Sequence, residues 1–287
     1  MEKGWKWKIA GGREMKKGRN SAKLFAIIVL AASLTACGDL AGSFTEEVQG
    51  NVIGAGSGSG KLVSLEKQAF AADGFDELQV RTEAMVIHIA KGSGDKAEVE
   101  LLADDSLRDR LAFGAEVESG VLKVEVEEKA KAGVLKDQRG ERTLRIVLPD
   151  KAYRSLTIRN TFGAIEASGV KTELADIRID AGSIRLSGVG GQLNLEANAG
   201  EIVVEDLVLS GDVKARTDVG KIAIHLSESP TDASFNLDSE VGEVKLNLEQ
   251  VEYGQQASNK KVGTIGSNGY RIDAYTAVGE IVVDVKP

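Results

Sequence analysis

Thr217-Asp218-Val219-Gly220-Lys221-Ile222-Ala223-Ile224 is the stretch on which the fold turns. A short alternating run arrives at a glycine, and a second alternating run leaves it. The same Gly-x-Ile/Val unit recurs at Gly163, Gly182, Gly200, Gly220, Gly242, Gly263 and Gly279, with spacings of 19, 18, 20, 22, 21 and 16 residues. Ile177 and Ile179 precede Gly182, and Ile184 and Leu186 follow it. Leu193/Leu195 and Ile202/Val204 flank Gly200 in the same way, as do Phe235/Leu237 and Val244/Leu246/Leu248 around Gly242. Period-two alternation marks strands with one face buried. Each unit therefore reads as strand, glycine turn, strand and a second turn, the last signalled by Ser168-Gly169, Ser187-Gly188 and Ser210-Gly211.

A period near twenty with two short strands per unit is the sequence form of a β-solenoid coil. A sharp corner needing positive φ selects glycine, which adopts it without steric cost. Seven coils, with these seven glycines as structural repeat positions, would make a rod of ~35 Å. The pattern also admits an antiparallel sandwich or roll in which each glycine closes a hairpin.

Upstream, residues 62–150 read as an irregular β region. Leu78–Thr82, Val86–Ile89, Ala97–Leu101, Val121–Val126 and Leu144–Leu148 alternate, Ser106 to Phe113 suggests one helical turn, and Glu128 to Arg142 reads as a charged loop. The repeats then occupy residues 151–287. Glycine is abundant at 33, proline numbers 3 and aromatics make up 5%, a composition of tight turns and aliphatic strands.

The first 36 residues read as an export signal. Lys16, Lys17, Arg19 and Lys23 precede an eleven-residue run, Leu24–Leu34, whose one polar member is Ser33. This is h-region length, short of the ~20 apolar residues that span a bilayer. Translation from Met15 would give a compact basic start. The run ends in Leu34-Thr35-Ala36-Cys37, which resembles the lipobox of bacterial lipoproteins and implies cleavage before Cys37 and a diacylglycerol on its sulfur. Cys37 is the sole cysteine, so no intramolecular disulfide forms. Residues 37–61, with Gly54-Ala55-Gly56-Ser57-Gly58-Ser59-Gly60, read as a flexible tether; Leu62 after Lys61 denies the segment a phosphate-loop reading.

Without residues 1–36, which hold eight Lys/Arg and two Asp/Glu, the chain carries 28 basic and 42 acidic side chains, a formal charge of −14. That balance excludes a nucleic-acid-binding face and adhesion to anionic lipid by charge. The lipid is then the expected hold on the membrane, with the domain on the extracytoplasmic side.

The repeats also resemble the bacterial putative-adhesin family of β-strand-repeat domains, a domain of unknown function. The resemblance spans roughly Phe75 to Pro287 and rests on Phe75-x-x-Leu78-x-Val80, Arg145-Ile146-x-Leu148-Pro149 and the tandem x-x-Gly-x-Ile/Val-x-Val/Leu units. It implies a β-solenoid-like fold, an envelope location and no established enzymatic activity; for some relatives it implies a link to envelope-stress sensing. The last spacing of 16 and the Gly254-Gln255-Gln256 insertion depart from the regular repeat.

No catalytic constellation stands out. His88 and His225 lie in strand patterns opposite their apolar neighbours, without the companion ligands that zinc requires. Asp180, Asp218 and Glu240, each two residues before a corner glycine, could stack into an acidic ladder, but they read as solvated turn residues. The expectation is a non-enzymatic, lipid-anchored adhesin-like binding or scaffold module without metal or cofactor. An envelope glycan or protein is its expected partner. The alternative is an envelope-stress-sensing lipoprotein. A carbohydrate-active enzyme, which would need a pair of carboxylates in a cleft, ranks third.

Overall fold

A computed structural model describes residues 61–129, 140–267 and 269–285, most of them in strands. The expected signal segment, Met15, the lipobox with Cys37 and the Gly/Ser tether lie outside the described residues, as does most of the charged loop. The described residues make one compact unit that holds their hydrophobic core.

Among the described residues, seventeen strands alternate with short connections. The irregular region contains β1 (Leu62–Ala71), β2 (Glu77–Lys91), β3 (Lys96–Asp104), β4 (Leu111–Glu118), β5 (Val121–Glu128) and β6 (Arg142–Leu148). The expected helical turn is a single 3-10 turn, Asp105–Leu107, capped by the Asp104 carboxylate accepting from Ser106 N–H. Three long strands follow: β7 (Ala152–Ser168), β8 (Lys171–Ser187) and β9 (Gln192–Leu207). Each runs straight through its corner glycine. The later units split there, into β10 (Val213–Val219) with β11 (Ile222–Leu226), β12 (Ala233–Val241) with β13 (Val244–Asn247), and β16 (Tyr270–Val278) with β17 (Ile281–Val285). Between the last two lies a hairpin, β14 (Glu252–Gln256) and β15 (Lys260–Ile265).

The rungs pair in parallel and in register, with Gly163 opposite Gly182 and Gly182 opposite Gly200. This is the solenoid; the hairpin-closing role that a sandwich would give each glycine is absent from these rungs. Parallel in-register stacking aligns equivalent residues into columns, and the core is built of such columns. Two residues after the corner stand Ile87, Ile165, Ile184, Ile202, Ile222, Ile281 and Val244, all buried. Five residues before it stand Val80, Ile158, Ile177, Leu195, Ala215, Ala274 and Leu237, again all buried. Every rung thus buries apolar area against the next at about 25 cal/mol per Å².

The rungs do not stack in chain order. β10 pairs with β9 on one side and with β16 on the other, and β16 pairs with β12. The corner column therefore runs Gly163, Gly182, Gly200, Gly220, Gly279, Gly242, with the chain's last rung inserted before its penultimate one. β15 then closes this end antiparallel to β12, with the fully exposed β14 outside it. At the other end, β2 pairs in parallel with β7 and places Met85 opposite Gly163. Beneath β2, β5 and β6 pair with its two halves, and antiparallel β4, β3 and β1 close that end. Seven corners at ~4.8 Å span ~29 Å, close to the expected rod, but Met85 replaces Gly263 among them.

Candidate functional site

Six of the seven repeat glycines form one column. Gly163, Gly182, Gly200, Gly220, Gly242 and Gly279 have φ between +118° and +154°. A Cβ added to any of them would fall 1.6–2.1 Å from the carbonyl oxygen of the adjacent corner. Gly263 is the exception. It lies within β15 opposite Phe235, in an antiparallel ladder, so its Gly-x-Ile match marks a hairpin strand instead of a corner. The missed corner, Met85, carries no glycine signal; β5 registers only with residues 77–82 and β6 with residues 86–91, so no rung corner underlies it.

Three residues before five of the seven corners a polar side chain lines the inside of the bend, while Ile179 and Ala197 keep the same position apolar before Gly182 and Gly200. Thr82, Asn160, Thr217, Thr276 and Ser239 are buried there. Ser239 Oγ donates to Gly279 O at 2.8 Å, Thr276 Oγ1 to Gly220 O at 3.2 Å, and Asn160 Nδ2 to Met85 O at 2.9 Å. Thr82 Oγ1 in turn donates to Asn160 Oδ1 at 2.8 Å. These side chains satisfy corner carbonyls that the bend turns away from the regular ladder.

The outward columns before the corner form a long polar face, and at its middle is a shallow depression of about 410 Å³ across β8, β9, β10 and β16. Asp176, Arg178, Asn194, Glu196, Lys214 and Tyr275 line it. Arg178 holds Glu196 at 3.3 Å, Arg159 holds Asp176 at 2.6 Å, and the Arg216 guanidinium lies 4.5 Å from the centre of the Tyr275 ring. Two groups in this network lack partners among the described residues. Asn194 Oδ1 is buried without a hydrogen bond, and the neighbouring Lys214 ammonium makes no ion pair.

The three acidic residues do not form a continuous ladder. Because Gly279 stacks between Gly220 and Gly242, Ala277 separates Asp218 from Glu240, and Asn198 separates Asp180 from Asp218 while donating to Asp180 at 3.3 Å. No metal-holding group of His, Cys, Asp or Glu occurs among the described residues. Each histidine meets a carboxylate: His88 Nδ1 lies 3.0 Å from Glu166, and His225 Nδ1 lies 2.6 Å from Asp284. The His88 bond holds the Glu166 carboxyl below its usual range, with burial opposing it.

Parallel rungs, a glycine corner in six of them and an aliphatic column on either side of the bend define this stack. Residues 153–284 match the Toastrack DUF4097 family. The matched region opens at β7 and takes in all six glycine corners; β1 to β6 lie before it. The chain is similar to a solved structure described as a putative cell adhesion protein from Clostridium sporogenes, at 13% identity and TM-score 0.49, over 79% of this chain and all of that one. A putative adhesin from Bacteroides fragilis is similar at 14% identity and TM-score 0.36, over 79% and 97%. A putative lipid binding protein from Parabacteroides distasonis is similar at 13% identity and TM-score 0.23, over 77% and 96%. No curated protein matches the sequence significantly. No helix among the described residues is long and apolar enough to cross a membrane.

Proposed function

We propose that this chain is a non-enzymatic, lipid-anchored module of the bacterial envelope that holds an extended glycan on the polar face of its Toastrack solenoid. The observation that carries the reading is the depression around Asn194. An amide oxygen without a partner and an unpaired ammonium stand side by side on a face whose other charges are already matched. A sugar hydroxyl both donates and accepts, so it suits this pairing of acceptor and donor better than a purely anionic or cationic group does. The in-register rungs hold the backbone that carries these side chains in place before binding, which limits the ordering cost. The anchor rests on the Leu34-Thr35-Ala36-Cys37 lipobox.

Two experiments test the reading. Cosedimentation of residues 50–287 with purified cell-wall polysaccharide should be lost in a triple Asn194→Leu, Lys214→Met, Tyr275→Ala variant that melts like wild type; retained cosedimentation refutes the site. Full-length Cys37→Ser should accumulate as an uncleaved precursor without radiolabelled palmitate, and normal labelling would remove the anchor from the proposal.

A further inference from the structure

The residue just before each corner is apolar in every rung: Ala84, Phe162, Ala181, Ala199, Val219, Val278 and Val241. Register makes them one column, in that spatial order. Unlike the core columns, this one faces solvent. Phe162 is 57% exposed, Val219 55%, Val278 47% and Val241 65%, values that single out four of the most exposed large apolar side chains among the described residues. A contiguous exposed apolar row is a mark of an interaction surface. Its flanks are acidic. Asp180, Asp218 and Glu240 sit one residue before it, and Glu201, Glu280 and Glu243 stand just past the bend; Arg185, Arg216, Lys221 and Lys245 pair with Glu201, Asp218, Glu280 and Glu243, which leaves the six carboxylates in excess over four cations along the edge.

We propose that this edge docks a basic amphipathic α-helix lying along the solenoid axis. The spacing selects the helix. Column residues recur every ~4.8 Å, close to the 5.4 Å per turn of a helical apolar face. An extended strand repeats same-side residues every ~6.6 Å and would fall out of step. From Phe162 to Val241 the row runs ~24 Å, the length of ~16 helical residues. The charge selects the partner. A helix with Lys or Arg beside its apolar face meets carboxylates on both sides, a complementarity that also speeds encounter. A second copy packed in parallel on the same edge would bring carboxylate against carboxylate at the Glu240 end, and anionic lipid is repelled for the same reason. This docking edge is separate from the glycan face and does not depend on it.

The test uses residues 50–287 and two fluorescein-labelled 18-residue helical peptides of equal apolar pattern, one with Lys flanks and one with Glu flanks, read by fluorescence anisotropy. The Lys peptide should bind and the Glu peptide should not. Phe162→Ser with Val219→Ser should weaken the Lys peptide at least tenfold without moving the thermal midpoint. Asp218→Asn with Glu240→Gln should weaken it several-fold and flatten its salt dependence. Equal binding to wild type and the Phe162/Val219 variant would assign the affinity to bulk charge and overturn the proposal, as would no binding. Sedimentation that shows a dimer lost in the same variant would give the edge to a second copy instead.

Discussion

Substituting Gly182 by alanine measures how firmly the corner column is locked. Gly182 has φ +139°, in a region essentially reserved for glycine, and strain of this kind costs ~1–3 kcal/mol. Its added Cβ would also stand 1.8 Å from Gly163 O, 2.8 Å from Gly163 C and 3.0 Å from Ile179 Cδ1. Backbone on both sides is fixed by the parallel pairing of β7, β8 and β9, so relief requires parting two rungs, an overpacking cost of ~1–3 kcal/mol. The combined loss is about 2–6 kcal/mol, which at ~2–4 °C per kcal/mol for a unit of this size lowers the thermal midpoint by roughly 4–24 °C. Gly188→Ala is the matched control. It has φ +59° but open space around the added Cβ, so only a left-handed cost of ~1–2 kcal/mol applies. Urea and thermal unfolding of residues 50–287, followed by circular dichroism, would compare the two. If Gly182→Ala costs no more than Gly188→Ala, the stacked-carbonyl argument is wrong.

Three further outcomes follow from named contacts. Asn160→Ala removes the donor to Met85 O and Phe162 O and the acceptor for Thr82 Oγ1, and should cost ~2–4 kcal/mol in urea unfolding. Ile177→Ala, in the fully buried column, should cost ~2–5 kcal/mol by the same measurement. Acid should destabilise the unit. Burial raises the Glu128 carboxyl, but Arg142 and Arg110 outweigh it and hold it below its ordinary 4.5, and the Arg154 guanidinium lowers Asp76 below 3.8. For carboxyls depressed in the folded state, the stabilisation is complete above the unfolded value and is lost as pH falls through the folded one. Melting temperature should therefore drop below about pH 4.5, less steeply in Glu128→Gln.

Much of the fold is legible in the chain because a repeat protein writes its cross-section once per rung. Ile165, Ile184, Ile202, Ile222 and Ile281 announce the buried column by their spacing alone, and the glycines two residues earlier announce the bend. β2 is legible as two pieces, Leu78–Thr82 and Val86–Ile89, because Met85 hides its corner. β1 and β4 give no clear pattern, since their exposed edges weaken the alternation. Asn194 gives no signal either: its meaning lies in the absence of a partner, which depends on neighbours from three other strands.

The sequence by itself determined the rung, its length, its inward aliphatics and its glycine corner, but left a parallel stack and an antiparallel roll both open until the pairing of β7, β8 and β9 decided for the parallel one. Only the tertiary structure decided the order of the rungs. All rungs present the same columns, so Gly279 fits as well against Gly220 as Gly242 would, and local pattern cannot rank the two. The hairpin of β14 and β15 decides it. With β15 antiparallel along the outer edge of β12, the remaining open edge of β12 faces inward, and the last rung fills the slot beside it. That insertion sets Ala277 between Asp218 and Glu240, demotes Gly263 from corner to strand, and completes the apolar edge from Phe162 to Val241.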